Sequence, residues 1–135
     1  MFLLDTMVMS EGFKRNANQF ALEWLERSND EQTFVSVISL GEIERGIRKL
    51  ERREPARVQP FRVWLERTLS RFAGRIIPID EDIARKWGQL SHDLGNANPD
   101  LLIAATALTQ DLTVVTRNVR HFEPTGVRLL DPYEA

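Results

Sequence analysis

Apolar positions along the chain follow two periods. Short runs at "FLL" (2–4), "TFVSV" (33–37), "RIIPI" (75–79), "LTVVT" (112–116) and "VRLL" (127–130) have the length and β-branched content of strands, so four to five are predicted. The segments between them repeat at helical spacing. "FALEWLER" sets Phe20, Leu22, Trp24 and Leu25 inward, and "IARKWGQL" does the same with Ile83, Ala84, Trp87 and Leu90. "SLGEIERGIRKLERRE" carries Ile43, Ile47 and Leu50 and gives way to Pro55. "VQPFRVWLERTLSRF" turns Phe61, Trp64, Leu65, Leu69 and Phe72 inward. "NPDLLIAATALTQ" has Asn98 as cap, Pro99 at the first helical position and an apolar body, the pattern of a buried helix. Strands alternating with helices imply an α/β fold, with a parallel sheet covered on both faces.

Composition narrows the class. A chain of 135 residues reads as one domain, residues 1–135, and without cysteine it has neither disulfides nor thiolate metal ligands. Asp5 interrupts the first apolar run, which lacks a basic leader and is too short to span a bilayer, so a cytoplasmic protein without membrane association is expected. A net charge of −2 argues against binding nucleic acid by bulk charge alone. Yet Arg45, Arg48, Lys49, Arg52, Arg53, Arg57, Arg62, Arg67, Arg71 and Arg75 face only Glu51, Glu54 and Glu66 in one stretch. That stretch is either a solvated hairpin with ion pairs such as Arg48 to Glu51, or a surface for phosphates or an acidic partner.

In an open parallel sheet, sites form beyond the carboxyl ends of the strands. Asp5 directly follows the first strand, Glu42 lies shortly after the second, and Thr116, Arg117 and Asn118 close "LTVVT". Asp100 stands in the first turn of the apolar helix. Each has an ordinary structural reading. Ser39 and Glu42 in "SLGE" match a capping box, placing Glu42 in a first helical turn. Asp100 suits a helix dipole, and Asp5 and Asn118 suit turns. Together they would crowd three carboxylates at one edge. Crowding raises carboxyl pKa values unless a hard cation neutralises the cluster. With only His92 and His121 and no cysteine, zinc is disfavoured and Mg²⁺ or Mn²⁺ is expected, ions that serve phosphoryl chemistry.

"LLDTMVMSE", "SVISLGEIERGI", "PDLLIAATAL" and "LTVVTRNVRHF", in this order over nearly the whole chain, resemble the PIN domain of VapC-type toxins of bacterial toxin–antitoxin systems. The resemblance implies a PIN-like three-layer fold. It implies a Mg²⁺- or Mn²⁺-dependent endoribonuclease that cuts structured RNA, of the tRNA or rRNA class, to leave a 5′-phosphate and a 3′-hydroxyl. It also implies a VapB-like antitoxin whose tail occludes the site, usually a homodimer, and a heterotetramer or larger assembly with the antitoxin. By position, Asp5 and Asp100 would be the main metal ligands and Glu42 would bind directly or through water. Asn118 falls where the family has a fourth acid, and Met7 where similar sequences generally have an Asn.

Two other readings compete. A phosphatase of the haloacid dehalogenase type also begins with a strand ending in Asp, but needs a second Asp at the position of Met7. A PIN module whose chemistry Met7 and Asn118 have weakened would act mainly as an antitoxin-binding or regulatory protein.

Overall fold

Five parallel strands form one sheet in the order β3-β2-β1-β4-β5. The computed structural model describes residues 1–134. The strands are β1 (Phe2–Leu4), β2 (Thr33–Ser36), β3 (Ile76–Ile77), β4 (Thr113–Val115) and β5 (Leu129–Leu130). The first strand is central, with Leu3 level with Phe34 on one side and Val114 on the other. Asp5, Ser36 and Thr116 therefore come to one edge of the sheet. Among the described residues seven α-helices flank it: α1 (Thr6–Met9), α2 (Gln19–Arg27), α3 (Val37–Arg53), α4 (Val58–Arg71), α5 (Glu81–Leu94), α6 (Asp100–Gln110) and α7 (Val119–Phe122).

Strand alternation divides the core between the two faces of the sheet. Leu3 and Val114 point to a layer with Ile103, Ala104, Ala107 and Phe122, drawn from α6 and α7. Their neighbours Leu4 and Val115 join Val8, Met9, Ala21 and Phe72 on the other face. A third cluster, Ile47, Val58 and Leu65, ties α3 to α4. The apolar body of α6 is buried as its sequence implies, with Ile103, Ala104 and Ala105 fully inaccessible. Asn98 holds its start, its Oδ1 accepting from the Asp100 N–H at 3.0 Å.

Several expectations are corrected. The cap of α3 is Ser36, whose side chain accepts from the Ile38 N–H, so Ser39 is no cap and lies fully buried within the helix. Glu42 accordingly falls in the second turn, and capping does not account for it. Phe20 is 47% exposed, because Ala21, Trp24 and Leu25 are the positions of α2 that pack toward the sheet. Ala84 also faces solvent, leaving Ile83 as the buried anchor of α5. The two outer strands are shorter than their apolar runs, two residues each.

Candidate active site

Asp5 ends β1 and begins α1, and its carboxylate is held from two sides. Oδ1 accepts from the Thr6 N–H at 2.8 Å, and Oδ2 accepts from the Thr116 hydroxyl at 2.7 Å. Its own N–H donates to the Val115 carbonyl at 2.9 Å, locking the residue to β4. Asp5 is 4% exposed and Thr116 fully buried. The Thr116 oxygen also accepts from the Asn118 N–H at 2.9 Å, so one hydroxyl joins the turn after β4 to the carboxylate after β1.

Glu42 reaches the same edge through Thr6. The Thr6 hydroxyl oxygen lies 2.9 Å from Glu42 Oε1 and 2.8 Å from Ser39 Oγ. A carboxylate only accepts, so the single Thr6 proton goes to Glu42 and the Ser39 hydroxyl donates to Thr6. Starting α3 at Ser36 brings Ser39 and Glu42 onto the side facing α1. Sequence reading passed over Thr6, although its place directly after Asp5 was the available signal.

Asp100 sits at the start of α6, with a side chain 22% exposed. Burial, then repulsion from Asp5 and Glu42, pushes its carboxyl up to about 6, although the nearby His121 opposes the shift. His121 Nδ1 is 3.9 Å from Asp100 Oδ2. The carboxyl of Asp5 is raised as well, by burial, against the Thr116 and Thr6 hydrogen bonds and the His121 charge. Asp5 and Glu42 are therefore both within electrostatic reach of Asp100. Among the described residues no three Asp, Glu or His side chains close around a single point as a metal cage.

The donor set fits a hard divalent ion held partly through water. Mg²⁺ takes one or two carboxylates and keeps several waters, so an all-protein cage is not required. The hydrogen bonds to Asp5 occupy one direction on each oxygen and leave lone pairs for a ligand. Asn118, in the turn after β4, contacts Met7 through its side-chain amide, with Nδ2 3.9 Å from the sulfur.

Two concavities stand out on the surface, of which only the first is lined by one of these residues, Asp100. One of about 400 Å³ is lined by Asn96, Asn98, Asp100, Arg120 and His121. The other, about 680 Å³, is apolar at its base, where Phe13 stacks at 4.3 Å from Phe61 and 5.7 Å from Trp64, and it has Lys14, Arg15 and Arg57 in its lining. Phe61 and Trp64 are thus only partly covered, while Leu65 and Phe72 are buried as expected. Tyr133, which follows β5, ties into the turn after α1. Tyr133 donates its hydroxyl to Glu11 Oε2 at 2.7 Å, and the Arg117 guanidinium lies over the Tyr133 ring at 5.0 Å.

A parallel five-stranded sheet with acids at the carboxyl ends of β1 and β2 and at the start of α6 defines a class of fold and site. Residues 2–126 match the PIN domain, and the chain belongs to that family. It is 34% identical to Toxin FitB of Neisseria gonorrhoeae, covering 98% of this chain and 99% of that protein. The crystal structure of FitAcB from the same organism superposes with a TM-score of 0.85 at 32% identity, covering both chains fully. VapC ribonuclease Y4jK of Sinorhizobium fredii is 30% identical over 99% of both chains. A toxin–antitoxin complex from Klebsiella pneumoniae matches at 29% identity and a TM-score of 0.70, over all of both chains. Among the described residues no helix is long and apolar enough to cross a membrane.

Proposed function

We propose that this chain is the toxin of a toxin–antitoxin pair, a Mg²⁺- or Mn²⁺-dependent endoribonuclease acting on structured RNA of the tRNA or rRNA class. The observation that carries this reading is the convergence of Asp5, Glu42 and Asp100, expressed in the raised carboxyl of Asp100. The likeness to a VapC ribonuclease and to a toxin supports it. Asp5 and Asp100 would be the main ligands, with Glu42 binding directly or through water. A bound ion there would neutralise the cluster, lower the pKa of a water and stabilise charge on the phosphoryl oxygens.

The chain's own residues do the positioning. Thr6 and Thr116 fix the Asp5 carboxylate, and the Thr6 hydroxyl holds one Glu42 oxygen while the other stays free to orient the attacking water. Water attacks phosphorus and becomes the new phosphate oxygen, the bond to the 3′ oxygen breaks, and the proton that the water gives up passes through solvent to that oxygen. The products carry a 5′-phosphate and a 3′-hydroxyl. Fixed carboxylates spend little reorganisation at the moment of reaction.

The apolar groove at Phe13, Phe61 and Trp64 suits a VapB-like antitoxin segment that is apolar on one side and acidic opposite Lys14, Arg15 and Arg57. The likeness to a toxin–antitoxin complex supports that partner. Residues 1–135 act as one PIN unit, with Tyr133 clamping the chain end to Glu11. Homodimers, assembled with antitoxin into heterotetramers or larger species, acting in the cytoplasm, complete the reading.

The test is cleavage of total tRNA and rRNA by the purified chain. Activity lost in EDTA and restored by Mn²⁺ is expected, with 5′-phosphate ends on the products. A metal-replete chain that cuts no RNA yet binds an antitoxin would instead identify the weakened PIN module that Met7 and Asn118 suggest.

A further inference from the structure

The exposed cations of α3 are not scattered. At about 100° per residue, Arg45, Lys49, Arg52 and Arg53 all lie within about 80° of Glu42 around the helix axis. All four are exposed, and among the described residues none forms an ion pair. The acids of the same helix are turned the other way. Glu44 and Glu51 lie roughly opposite Glu42, where Arg62 of α4 takes them at 3.6 and 2.7 Å, and Arg48 also pairs with Glu51 at 3.6 Å. Charge is thus sorted by face: satisfied pairs toward α4, and an unpaired cationic row on the side of Glu42.

A second observation concerns the backbone beside that row. Gly46 is one turn beyond Glu42 on the same face, and Gly41 precedes it. Glycine weakens a helix interior, yet a Cβ at either position would meet nothing within 4 Å, so the chain's own packing does not call for glycine there. A bare helix surface next to the carboxylates permits close approach by another molecule.

We propose that this face of α3 is a track for the phosphodiester backbone of the RNA substrate, with Arg45, Lys49, Arg52 and Arg53 contacting phosphates and Gly41 and Gly46 letting the strand lie close as it enters at Glu42. The proposal rests on the nuclease reading. A rise of about 1.5 Å per residue sets Arg53 about 16 Å from Glu42 along the axis, a span of several nucleotides. The row resolves a conflict of charge, because a centre of three carboxylates repels the polyanion it must cut, and a cationic approach offsets that repulsion.

The test measures RNA binding by fluorescence anisotropy across salt concentrations in EDTA, where no cleavage occurs, for the parent and for the combined variant Arg45→Ala, Lys49→Ala, Arg52→Ala, Arg53→Ala. Each lost phosphate contact should flatten the slope of log K against log salt by about 0.7, close to 3 in total. Replacing the three arginines by lysine should keep most of the slope. At saturating RNA and Mn²⁺ the alanine variant should retain kcat while KM rises. If it folds poorly by circular dichroism, single charge reversals at each exposed position give the same reading. A slope unchanged from the parent overturns the track. Loss of antitoxin affinity with an unchanged RNA slope overturns it in favour of a protein-docking face. A parent that cuts no RNA defeats the nuclease reading itself and the track with it, whereas a parent that cuts while the variant keeps its slope defeats only the track.

Discussion

The side-chain amide of Asn118 meets the thioether of Met7, Nδ2 to Sδ 3.9 Å. The two positions where the chain departs from the family pattern are therefore in contact. The sulfur is a weak acceptor, and this pairing turns the amide nitrogen toward Met7.

Asn118→Asp would add a fourth carboxylate beside the other three. Metal-free, the variant should be less stable than the parent through added repulsion. Its gain in melting temperature on saturation with Mn²⁺ should exceed the parent's, since a ligand stabilises the state that binds it. Equal gains would mean that position 118 does not face the ion.

Thr116→Val tests the brace on Asp5. The substitution keeps the shape of a buried side chain and removes the donor to Asp5 Oδ2, together with the acceptor for the Asn118 N–H. A loss of about 1–3 kcal/mol at pH 7 is expected in urea unfolding. Burial already raises the Asp5 carboxyl in the folded state, and losing this donor raises it further. A group with a raised folded pKa costs stability when ionised, so the deficit of the variant should shrink as pH falls. A deficit that is constant with pH would assign the loss to packing alone.

Tyr133→Phe should show a related trend from the opposite shift. Burial pushes the Glu11 carboxyl up, but hydrogen bonds from the Asn18 N–H, Tyr133 and Lys14 outweigh it and leave the group below its ordinary value. A depressed folded pKa contributes stability above the unfolded value, and that stability is lost as pH falls through the folded one. The variant should be about 1–2 kcal/mol less stable at pH 7, with the difference narrowing in acid. Denaturant midpoints at pH 7 and pH 3 check this.

The positions of Asp5 and Asp100 were legible because each is tied to the end of a strand or the beginning of a helix, and these local signals survive folding, whereas Glu42 was expected one turn too early in α3. The caps were less so. "TFVSVIS" offers two serines, and reading the strand through Val37 hid the one that caps α3. The long-range braces were the least legible. A threonine after a strand is unremarkable in sequence, and Thr116 gains meaning only from Asp5, 111 positions away. Tyr133 and Glu11 are 122 apart. Phe20 misled because helical periodicity marks an apolar stripe without saying which edge of it meets the sheet.

Asp100 gives a pH signature to the metal-free protein. Its carboxyl, pushed up to about 6 by burial and by Asp5 and Glu42, binds a proton more readily folded than unfolded. Its ionised form therefore costs stability above pH 6, and the cost is relieved as pH falls toward 4. The stability of the parent relative to Asp100→Asn should rise over that window by on the order of 1–3 kcal/mol in EDTA. With Mn²⁺ present the rise should diminish, and a rise unaffected by Mn²⁺ would separate Asp100 from the ion.

The most direct measurement is the single-turnover rate of RNA cleavage at saturating Mn²⁺ for the parent, Asp5→Asn and Asp100→Asn, with thermal melting of each. Both variants should cleave at least about 100-fold more slowly, as expected when a group acting on the transition state is removed. Asp100→Asn should also melt at or above the metal-free parent, because one crowded charge is gone. Cleavage within a few-fold of the parent by either variant would contradict a hydrolytic centre built on these carboxylates.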